Sequence, residues 1–437
     1  MDRVFYRLLD ILIFLPLLLR FAIWGVATYL DSNYIRRKRK PATRKILIFT
    51  FSSSYGSFKA RGFLPNISLG EDRGYLNRQY IINPFCPASQ IVNATDITTF
   101  IEWGTERFSR WKNLGLKYSR GAMILWDFFH YCVKLIKDEE INIILSNNPF
   151  KSAAIAFICS RLTRTPFCVH IRTAFDLQPR ISPAAYPRIF GSQRLSKLVQ
   201  KFILPRAEMV IPLSEARGKY AIQHGAKPEK IRVIPRVIDV SAFPRPDPNL
   251  SKELGIEGKK VISFAGRLVQ FNYVSDIIHI AAKVCHQRKN AIFLMVGDGV
   301  ERKSLEELTC NLGLENRVRF LGMHTWQKAA QIRLLSDVSL CLQAGNSLVE
   351  AAVAATPLIA YDVDWHYELV RNGETGFLLP EGDIDGVAEA IIKLLDEPEL
   401  AKRMGQNARK LAVEKHSVEK VRQIKINVYE ELIQRTR

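Results

Sequence analysis

One run in the last third of the chain combines groups that would bind an anion and a sugar. Residues 345–352 begin as a polar turn, continue into a predicted helix, and carry the carboxylate of Glu350 near the helix start. Backbone N–H groups at a helix start favour anionic ligands, and a nearby carboxylate can accept hydrogen bonds from two sugar hydroxyls. A nucleotide-sugar presents a diphosphate and hydroxyls, so the run predicts a site for one. Taken alone, Glu350 also reads as an ordinary acid in a first helical turn.

Two other predicted strand ends carry glycines beside polar residues. Gly266 and Arg267 directly follow a predicted strand at 261–265. A small residue and a cation at a strand end suit a diphosphate. Gly297 and Gly299 close the next predicted strand before a helix, where a simple tight turn is the alternative.

These segments resemble the donor site of retaining GT-B glycosyltransferases of family 4. The resemblance in motifs covers roughly residues 205–415. In the earlier part of the chain only the order of predicted strands and helices is similar. It implies that the diphosphate is held by Arg267, the ribose hydroxyls by Glu350, and the nucleotide base above the loop of Gly297 and Gly299. Catalytic contacts are thereby assigned to Arg267, Glu350 and His170, and further donor contacts to Gly266, Asn272, Gly297, Gly299, Asn346 and Ser347.

The chain departs from the family pattern at several of these positions. Asn272 stands where the family has a lysine, and Leu342 stands where it has the first of two paired glutamates. Arg236 could replace the missing cation, although a surface structural role is an equal alternative. Asp364 and Trp365 replace a Gly-Gly pair, and we expect Trp365 to pack rather than to shape the pocket.

The remaining candidates lie in the first half of the chain. Gly56 belongs to a polar loop after the first predicted strand and is assigned, with Arg236, to the acceptor and diphosphate side. His170 ends an apolar run, where a structural histidine is the alternative. Ser214 is expected to cap a helix. Asp362 and Asp364 match non-metal positions of the family segment, so we expect neither a metal nor a cofactor.

Strands that alternate with helices predict two α/β domains, each with a parallel sheet covered by helices on both faces. A proline-rich linker at 235–250 would join them across a ligand cleft. The predicted organisation is an N-terminal anchor with a basic flank at 1–42, an acceptor domain at 43–240, a nucleotide-sugar domain at 250–412, and a C-terminal helix at 413–437. The resemblance implies that this last helix returns to the first domain.

Charge and cysteine content limit the partners. The net charge is +20, and residues 151–210 carry ten basic residues against two acidic ones. Such clusters face anionic lipid, phosphorylated substrates or nucleic acid. We exclude nucleic acid because no zinc-finger, RRM or helix-turn-helix pattern is visible. The seven cysteines form no C-x-x-C pair, which favours a reducing compartment.

Residues 8–30 form an apolar segment long enough to span a bilayer, but Asp10, Pro16 and Arg20 interrupt it. A kinked span and a helix lying in the interface both fit, and a cleaved signal peptide or a buried helix are further alternatives. The basic block at 36–40 favours an uncleaved anchor on the cytoplasmic face of the membrane.

The sequence thus predicts a retaining glycosyltransferase that moves a sugar from a nucleotide-sugar to a membrane-associated, lipid-linked glycan. Helix 193–204, with three basic residues, is amphipathic, and we expect its apolar face to pack on the sheet. A catalytically degenerate GT-B protein that binds a sugar or lipid-linked glycan for another transferase is the alternative. A sugar phosphorylase or epimerase with the same fold is a third.

Overall fold

A computed structural model describes residues 19–20, 23–28, 44–50, 55–56, 74–109, 117–175, 177 and 192–435. Two β-sheets, each with helices on both faces, organise these residues. The first sheet has the strand order β3-β4-β2-β1-β5-β6-β7, with β1 (Lys45–Phe49), β2 (Arg78–Cys86), β3 (Gln90–Asn93), β4 (Thr98–Gly104), β5 (Ile143–Ser146), β6 (Phe167–Ile171) and β7 (Met209–Pro212). Its pairings are parallel except that of β3 with β4.

The second sheet is parallel throughout. Its order is β10-β9-β8-β11-β12-β13, with β8 (Lys260–Ala265), β9 (Ala291–Val296), β10 (Val318–Gly322), β11 (Val338–Leu340), β12 (Leu358–Tyr361) and β13 (Gly376–Leu379). This is the Rossmann order, and the first sheet has the same order once the antiparallel β3 is set aside. The predicted pair of Rossmann-like domains is therefore confirmed.

Besides the helical residues at 19–20, 23–28 and 55–56, twelve α-helices of the described residues surround the sheets. Those before β8 are α1 (Lys117–Asp138), α2 (Lys151–Thr163), α3 (Gln193–Ile203), α4 (Glu215–Gln223) and α5 (Leu250–Glu253). Those after β8 are α6 (Val274–Gln287), α7 (Arg302–Asn311), α8 (Trp326–Leu334), α9 (Asn346–Val353), α10 (Ile384–Asp396), α11 (Pro398–His416) and α12 (Val418–Arg435).

Several strands were not predicted. The strands β2, β3 and β4 fill a stretch without a predicted element, and β13 lies in a segment assigned to a connection. The segment 235–250, predicted as a linker, is also partly built into the core: Ile238 is buried among residues of α9 and α11. A parallel bridge joins Ile238 to Ser417, so the two connections between the domains lie side by side.

The last helix, α12, covers one face of the first sheet. Its residues Val421, Val428, Tyr429 and Leu432 are buried against side chains from β1, β5, β6 and β7. Helices α1 to α4 contribute to the core on the opposite face. The first sheet is thus completed by the end of the chain.

The predicted anchor at 1–42 lies outside the described residues, apart from 19–20 and 23–28. Residues 23–28 are helical, and the Trp24 ring stacks on His130 of α1 with the ring centroids 4.1 Å apart. Within the described ranges, none of the helices combines the length and the apolar character needed to cross a bilayer.

Candidate functional site

A cleft of about 310 Å³ opens beyond the carboxyl ends of β8 and β11. Strand order reverses between these neighbours, and ligands of doubly wound sheets bind at such a switch point. Side chains from both domains line it. The second domain supplies Gly266, Arg267, Asn272, Gln343, Asn346, Ser347 and Asp364, and the first supplies Arg172, Thr173 and Arg217.

Five predicted site residues therefore meet in one cleft: Gly266, Arg267, Asn272, Asn346 and Ser347. The cleft lining that the structure describes does not include Gly56, His170, Arg236, Gly297, Gly299 or Glu350. Residues that sequence reasoning did not select also line it, among them Arg172, Arg217 and Gln343.

Two glycine loops are held together by their backbones on the second-domain side. The N–H of Gly266 donates to the carbonyl of Val296 at 2.9 Å, and the N–H of Leu268 donates to Asp298 at 3.0 Å. Gly297 has a φ of +134°, and a Cβ there would overlap the carbonyl of Gly266. The contacts of Gly297 are therefore with the neighbouring loop, which supports the alternative of a structural turn.

Arg267 and Asn272 share that loop but differ in what they offer a ligand. The amide of Asn272 donates to the carbonyl of Arg267 at 2.7 Å, so it fixes the loop. Arg267 is exposed, and its side chain makes no hydrogen bond or ion pair with a described residue. The guanidinium of Arg267 is thus available to an anion, whereas Asn272 supplies no charge.

Helix α9 begins in the cleft at Asn346, behind Gly345, and no side chain caps it. The Ser347 hydroxyl accepts a hydrogen bond from Arg333 of α8 at 2.7 Å and donates to the carbonyl of Ala265. The first turn of α9 is therefore fixed to the end of β8, and its backbone N–H groups face the cleft end of the helix.

Glu350 lies one turn further along α9, beside Ser347. One carboxylate oxygen is 2.9 Å from Nη1 of Arg333, and the two side chains are 18% and 3% exposed. The Nη1 atom of Arg333 has no other hydrogen-bond partner among the described residues, so this contact with Glu350 is the one that balances its charge. The second carboxylate oxygen of Glu350 is the one that a ligand hydroxyl would meet.

The loop before α9 is anchored by the segment after β12. The indole N–H of Trp365 donates to the carbonyl of Ala344 at 3.1 Å, and the N–H of Ala344 donates to Nε2 of His366 at 3.1 Å. Burial lowers the pKa of His366 to about 4, so the ring is neutral and acts as an acceptor. Leu342 is buried in the core, so position 342 provides no polar group to a donor.

Arg236 lies beneath this loop. Its guanidinium stacks on the Trp365 ring at 4.4 Å, and Nη1 has no hydrogen-bond partner among the described residues. Burial, followed by the charge of Arg217, lowers the pKa of Arg236 to about 9. The interpretation as a surface arginine is wrong, because the side chain is buried. Trp365 packs in the core, as expected.

A buried ion pair joins the domains at the edge of the cleft. Nη2 of Arg217, from α4, lies 2.5 Å from Asp364 of the second domain, and both side chains are buried. Asp364 has a φ of +55°, a conformation that glycine adopts easily and aspartate tolerates. This explains how Asp364 stands where the resemblance leads us to expect glycine. Ser214 caps α4 by accepting from the N–H of Arg217, which confirms the expected cap.

The two first-domain candidates stand apart from these groups. Both ring nitrogens of His170 are buried without a hydrogen-bond partner, and burial with the charges of Arg172 and Lys425 holds its pKa well below the usual range. The neutral side chain of His170 therefore points to the face of the first sheet that α12 covers, where Lys425 lies. The residue of this segment that lines the cleft is Arg172. Gly56 is exposed, and apart from Tyr55 its neighbours at 51–54 and 57–73 are outside the described residues.

The cleft therefore holds more positive than negative charge. Arg172, Arg217 and Arg267 line it, while its one described carboxylate, Asp364, is neutralised by Arg217. Guanidinium groups and an uncapped helix start suit a diphosphate.

Comparisons with known families agree with this geometry. Residues 247–411 match the model of glycosyl transferases group 1, and residues 104–242 match the model of glycosyltransferase family 4. N-acetyl-alpha-D-glucosaminyl L-malate synthase of Bacillus anthracis is 34% identical over 202 residues, which are 45% of this chain and 52% of that protein. Alpha-D-kanosaminyltransferase of Streptomyces kanamyceticus is 28% identical over 187 residues, 42% of this chain and 48% of that protein. The chain spans about half the length of the curated relatives it matches.

The fold is shared with solved structures over nearly the whole chain. The crystal structure of Anabaena Alr3699/HepE in complex with UDP and glucose superposes with a TM-score of 0.68 at 22% identity, covering 90% of this chain and 100% of that one. The GT-B arrangement implied by the sequence is thereby confirmed.

Proposed function

The chain belongs to the family 4 glycosyltransferases of the GT-B fold, and we propose that it transfers a sugar, with retention, from a nucleotide-sugar to a membrane-associated glycan. The observation that carries the proposal is the convergence of Arg267 and the start of α9 on one cleft, with Glu350 a turn away. These groups match a diphosphate and the ribose next to it. UDP is the first nucleotide to test, because the structural relative from Anabaena binds it.

In the proposed reaction the bond between the sugar and the diphosphate breaks while an acceptor hydroxyl attacks from the same face, and the proton of that hydroxyl passes to an oxygen of the leaving diphosphate. The guanidinium of Arg267 and the N–H groups of Asn346 and Ser347 stabilise the charge that develops on the leaving diphosphate. No protein nucleophile takes part. The proposal uses neither a metal nor a cofactor, since these groups supply the positive charge.

Closure of the cleft would exclude water and so limit hydrolysis of the donor. The buried pair of Arg217 and Asp364 crosses between the domains at the cleft edge and would favour the closed arrangement. Arg172, which lines the cleft from the first domain, is placed to meet the acceptor side. A lipid-linked acceptor bearing a diphosphate fits the excess of basic residues at 151–210.

A catalytically degenerate, ligand-binding protein is the second candidate. Two observations favour it: Asn272 supplies no charge, and Leu342 is buried where the family pattern has a glutamate. Such a protein would bind the donor in the same cleft without turning it over.

A thermal-shift screen with UDP-, GDP-, ADP- and CMP-sugars tests the donor site. A ligand at 100 times its Kd stabilises the folded state by about 2.7 kcal/mol, and we expect one nucleotide class to raise the Tm. The Arg267→Ala variant should lose that shift. If no nucleotide-sugar shifts the wild type, the donor site is refuted.

Release of the nucleotide then separates the two candidates. We expect the stabilising donor to be hydrolysed slowly by the wild type alone and faster with a glycan acceptor. Binding without any turnover, with membranes present, would favour the degenerate protein.

A deletion tests the N-terminal anchor. Removing residues 1–40 should reduce the fraction of protein that sediments with membranes, and an unchanged fraction would show that this segment is not the cause of membrane association.

A further inference from the structure

Helix α3 presents a mixed basic and apolar stripe to solvent. Five exposed residues lie three, four, seven and eight positions apart when counted from the first, so they share one side of the helix: Arg194, Lys197, Leu198, Lys201 and Phe202. Leu198 is 64% exposed and Phe202 is 48% exposed. We call these five residues the α3 stripe.

The opposite side of α3 faces the domain. Ser196, Gln200 and Ile203 are buried, and Leu195 and Val199 pack against the core of the first domain. The expectation that the apolar face packs on the sheet is therefore wrong for Leu198 and Phe202, because the helix has more apolar residues than its buried side accommodates.

Neighbouring helices extend the same kind of surface. The Phe202 ring meets Phe157 of α2 with the centroids 5.8 Å apart, and the Arg206 guanidinium lies 4.0 Å over the Phe202 ring. Ile158, the residue that follows Phe157 in α2, is also exposed. Aromatic rings covered by arginines suit a boundary between apolar and charged surroundings.

The N-terminal helical segment lies on the same helical layer. Trp24 packs on α1, and Gly25 approaches Leu162 of α2, while Leu19, Ile23 and Val26 are all exposed. Thus apolar side chains point outward from three adjoining elements of one domain. A cluster of this kind marks an interaction surface rather than the scattered exposure of an ordinary protein.

The charge of this surface indicates the kind of partner that it would bind. Helices α2 and α3 contain five basic residues and no acidic one. The nearby carboxylate of Glu208 is paired with Arg161. Basic residues around exposed leucine and phenylalanine are the pattern of a helix that lies in the headgroup region of an anionic bilayer.

We propose that the α3 stripe docks the first domain on a bilayer containing anionic lipid, with Leu198 and Phe202 inserted among the acyl chains and the three cations at the headgroups. The stripe acts in addition to residues 1–42. The proposal deepens the proposed function by naming the surface that meets the membrane, yet it does not depend on sugar transfer.

A fluorescent probe on the stripe tests the proposal in the full chain. Cys310 is the exposed cysteine and the other six are buried, so a Cys310→Ser background allows selective labelling of Leu198→Cys with an environment-sensitive dye such as NBD. The matched control is Met323→Cys in the same background, because Met323 is 77% exposed in the second domain. Each is mixed with phosphatidylcholine vesicles with or without phosphatidylglycerol.

We expect the probe at 198 to shift to the blue and brighten on phosphatidylglycerol vesicles, and to respond little to pure phosphatidylcholine or at high salt. The probe at 323 should not respond. Replacing Arg194, Lys197 and Lys201 together by glutamine should lower the apparent partition coefficient of the probe at 198 by about fivefold per charge removed.

Three outcomes would overturn the proposal. One is an unchanged probe at 198 while the protein sediments with the vesicles, since residues 1–42 would then account for binding. The others are an equal response on neutral vesicles and an equal response at 323. Donor hydrolysis by the triple glutamine variant is the independent readout: it should stay at the wild-type rate, because the stripe is outside the cleft. An intact vesicle response in the triple glutamine variant would also count against the α3 stripe, whereas a wild type that shows the expected vesicle response but hydrolyses no donor would count against the proposed function alone.

Discussion

Replacing Glu350 by alanine should weaken folding and donor binding together. Arg333 is 3% exposed and Glu350 is 18% exposed, with their charged atoms 2.9 Å apart. Removing one partner of a buried ion pair costs about 3–5 kcal/mol, because the other charge is left uncompensated. Glu350 keeps some contact with water, so we expect a loss near 3 kcal/mol in the free energy of unfolding.

A double variant separates the structural effect from the functional one. Arg333→Met combined with Glu350→Leu removes both charges and fills the space with apolar atoms, a change that is often near neutral. It also removes the hydrogen bond from Arg333 to Ser347, worth about 1 kcal/mol. The double variant should therefore be more stable than Glu350→Ala but should still fail to bind the ribose.

Urea unfolding measures the first quantity, and calorimetry with UDP measures the second. Glu374→Ala is the matched control, because that glutamate is 64% exposed and pairs only loosely with Arg371. Its unfolding free energy and its UDP affinity should stay within error of the wild type. The reasoning fails if the double variant recovers UDP affinity as well as stability, since Glu350 would then serve only to balance Arg333.

Three further predictions follow from the site. Arg267→Ala should lower the rate of sugar transfer by well over tenfold, as for a lost contact worth about 2–4 kcal/mol in the transition state. The urea midpoint should stay unchanged, because the side chain is exposed. Turnover at the wild-type rate would contradict this role of Arg267. Burial lowers the pKa of His366 and of His416 to about 4, so the unfolded state binds more protons between pH 6.5 and 4. As the pH is lowered from 6.5 to 4, the free energy of unfolding should fall by up to about 1.4 kcal/mol per pH unit for each ring. Urea unfolding at several pH values measures this dependence, and His366→Gln should make it less steep. Gly297→Ala should lower the Tm and the UDP affinity together, because a Cβ there overlaps the carbonyl of Gly266; an unchanged Tm would contradict the close loop contact.

The alternation of apolar strands and helices was enough to predict two doubly wound domains, because strands buried on both faces read as short apolar runs. Strand β2 escaped that rule. It contains Gln79, Asn83 and Pro84, and the buried Gln79 amide finds its partner in the Thr98 hydroxyl of β4 at 2.6 Å. Because Gln79 is buried through a hydrogen bond to a neighbouring strand, β2 lacks the continuous apolar run by which the other strands were predicted.

The candidate site was predictable where its residues form local motifs. Arg267, Asn346 and Ser347 were found from short runs that the fold brings to one cleft. Pairs distant in sequence were not: Arg217 and Asp364 are 147 positions apart, and their ion pair depends on how the domains meet. Arg333 reads in sequence as a surface residue of a helix, and only packing shows that it balances Glu350.

The placement of α12 has a consequence for how the protein is made. The first domain begins at β1, but one face of its sheet is covered by Val421, Val428, Tyr429 and Leu432, near the end of the chain. During translation the part of this face that α12 buries stays uncovered by that helix until residues 418–435 leave the ribosome. Synthesis of the second domain therefore takes place while the first still exposes apolar strands, and a nonsense mutation that removes only the last helix would leave the amino-terminal half unable to finish folding.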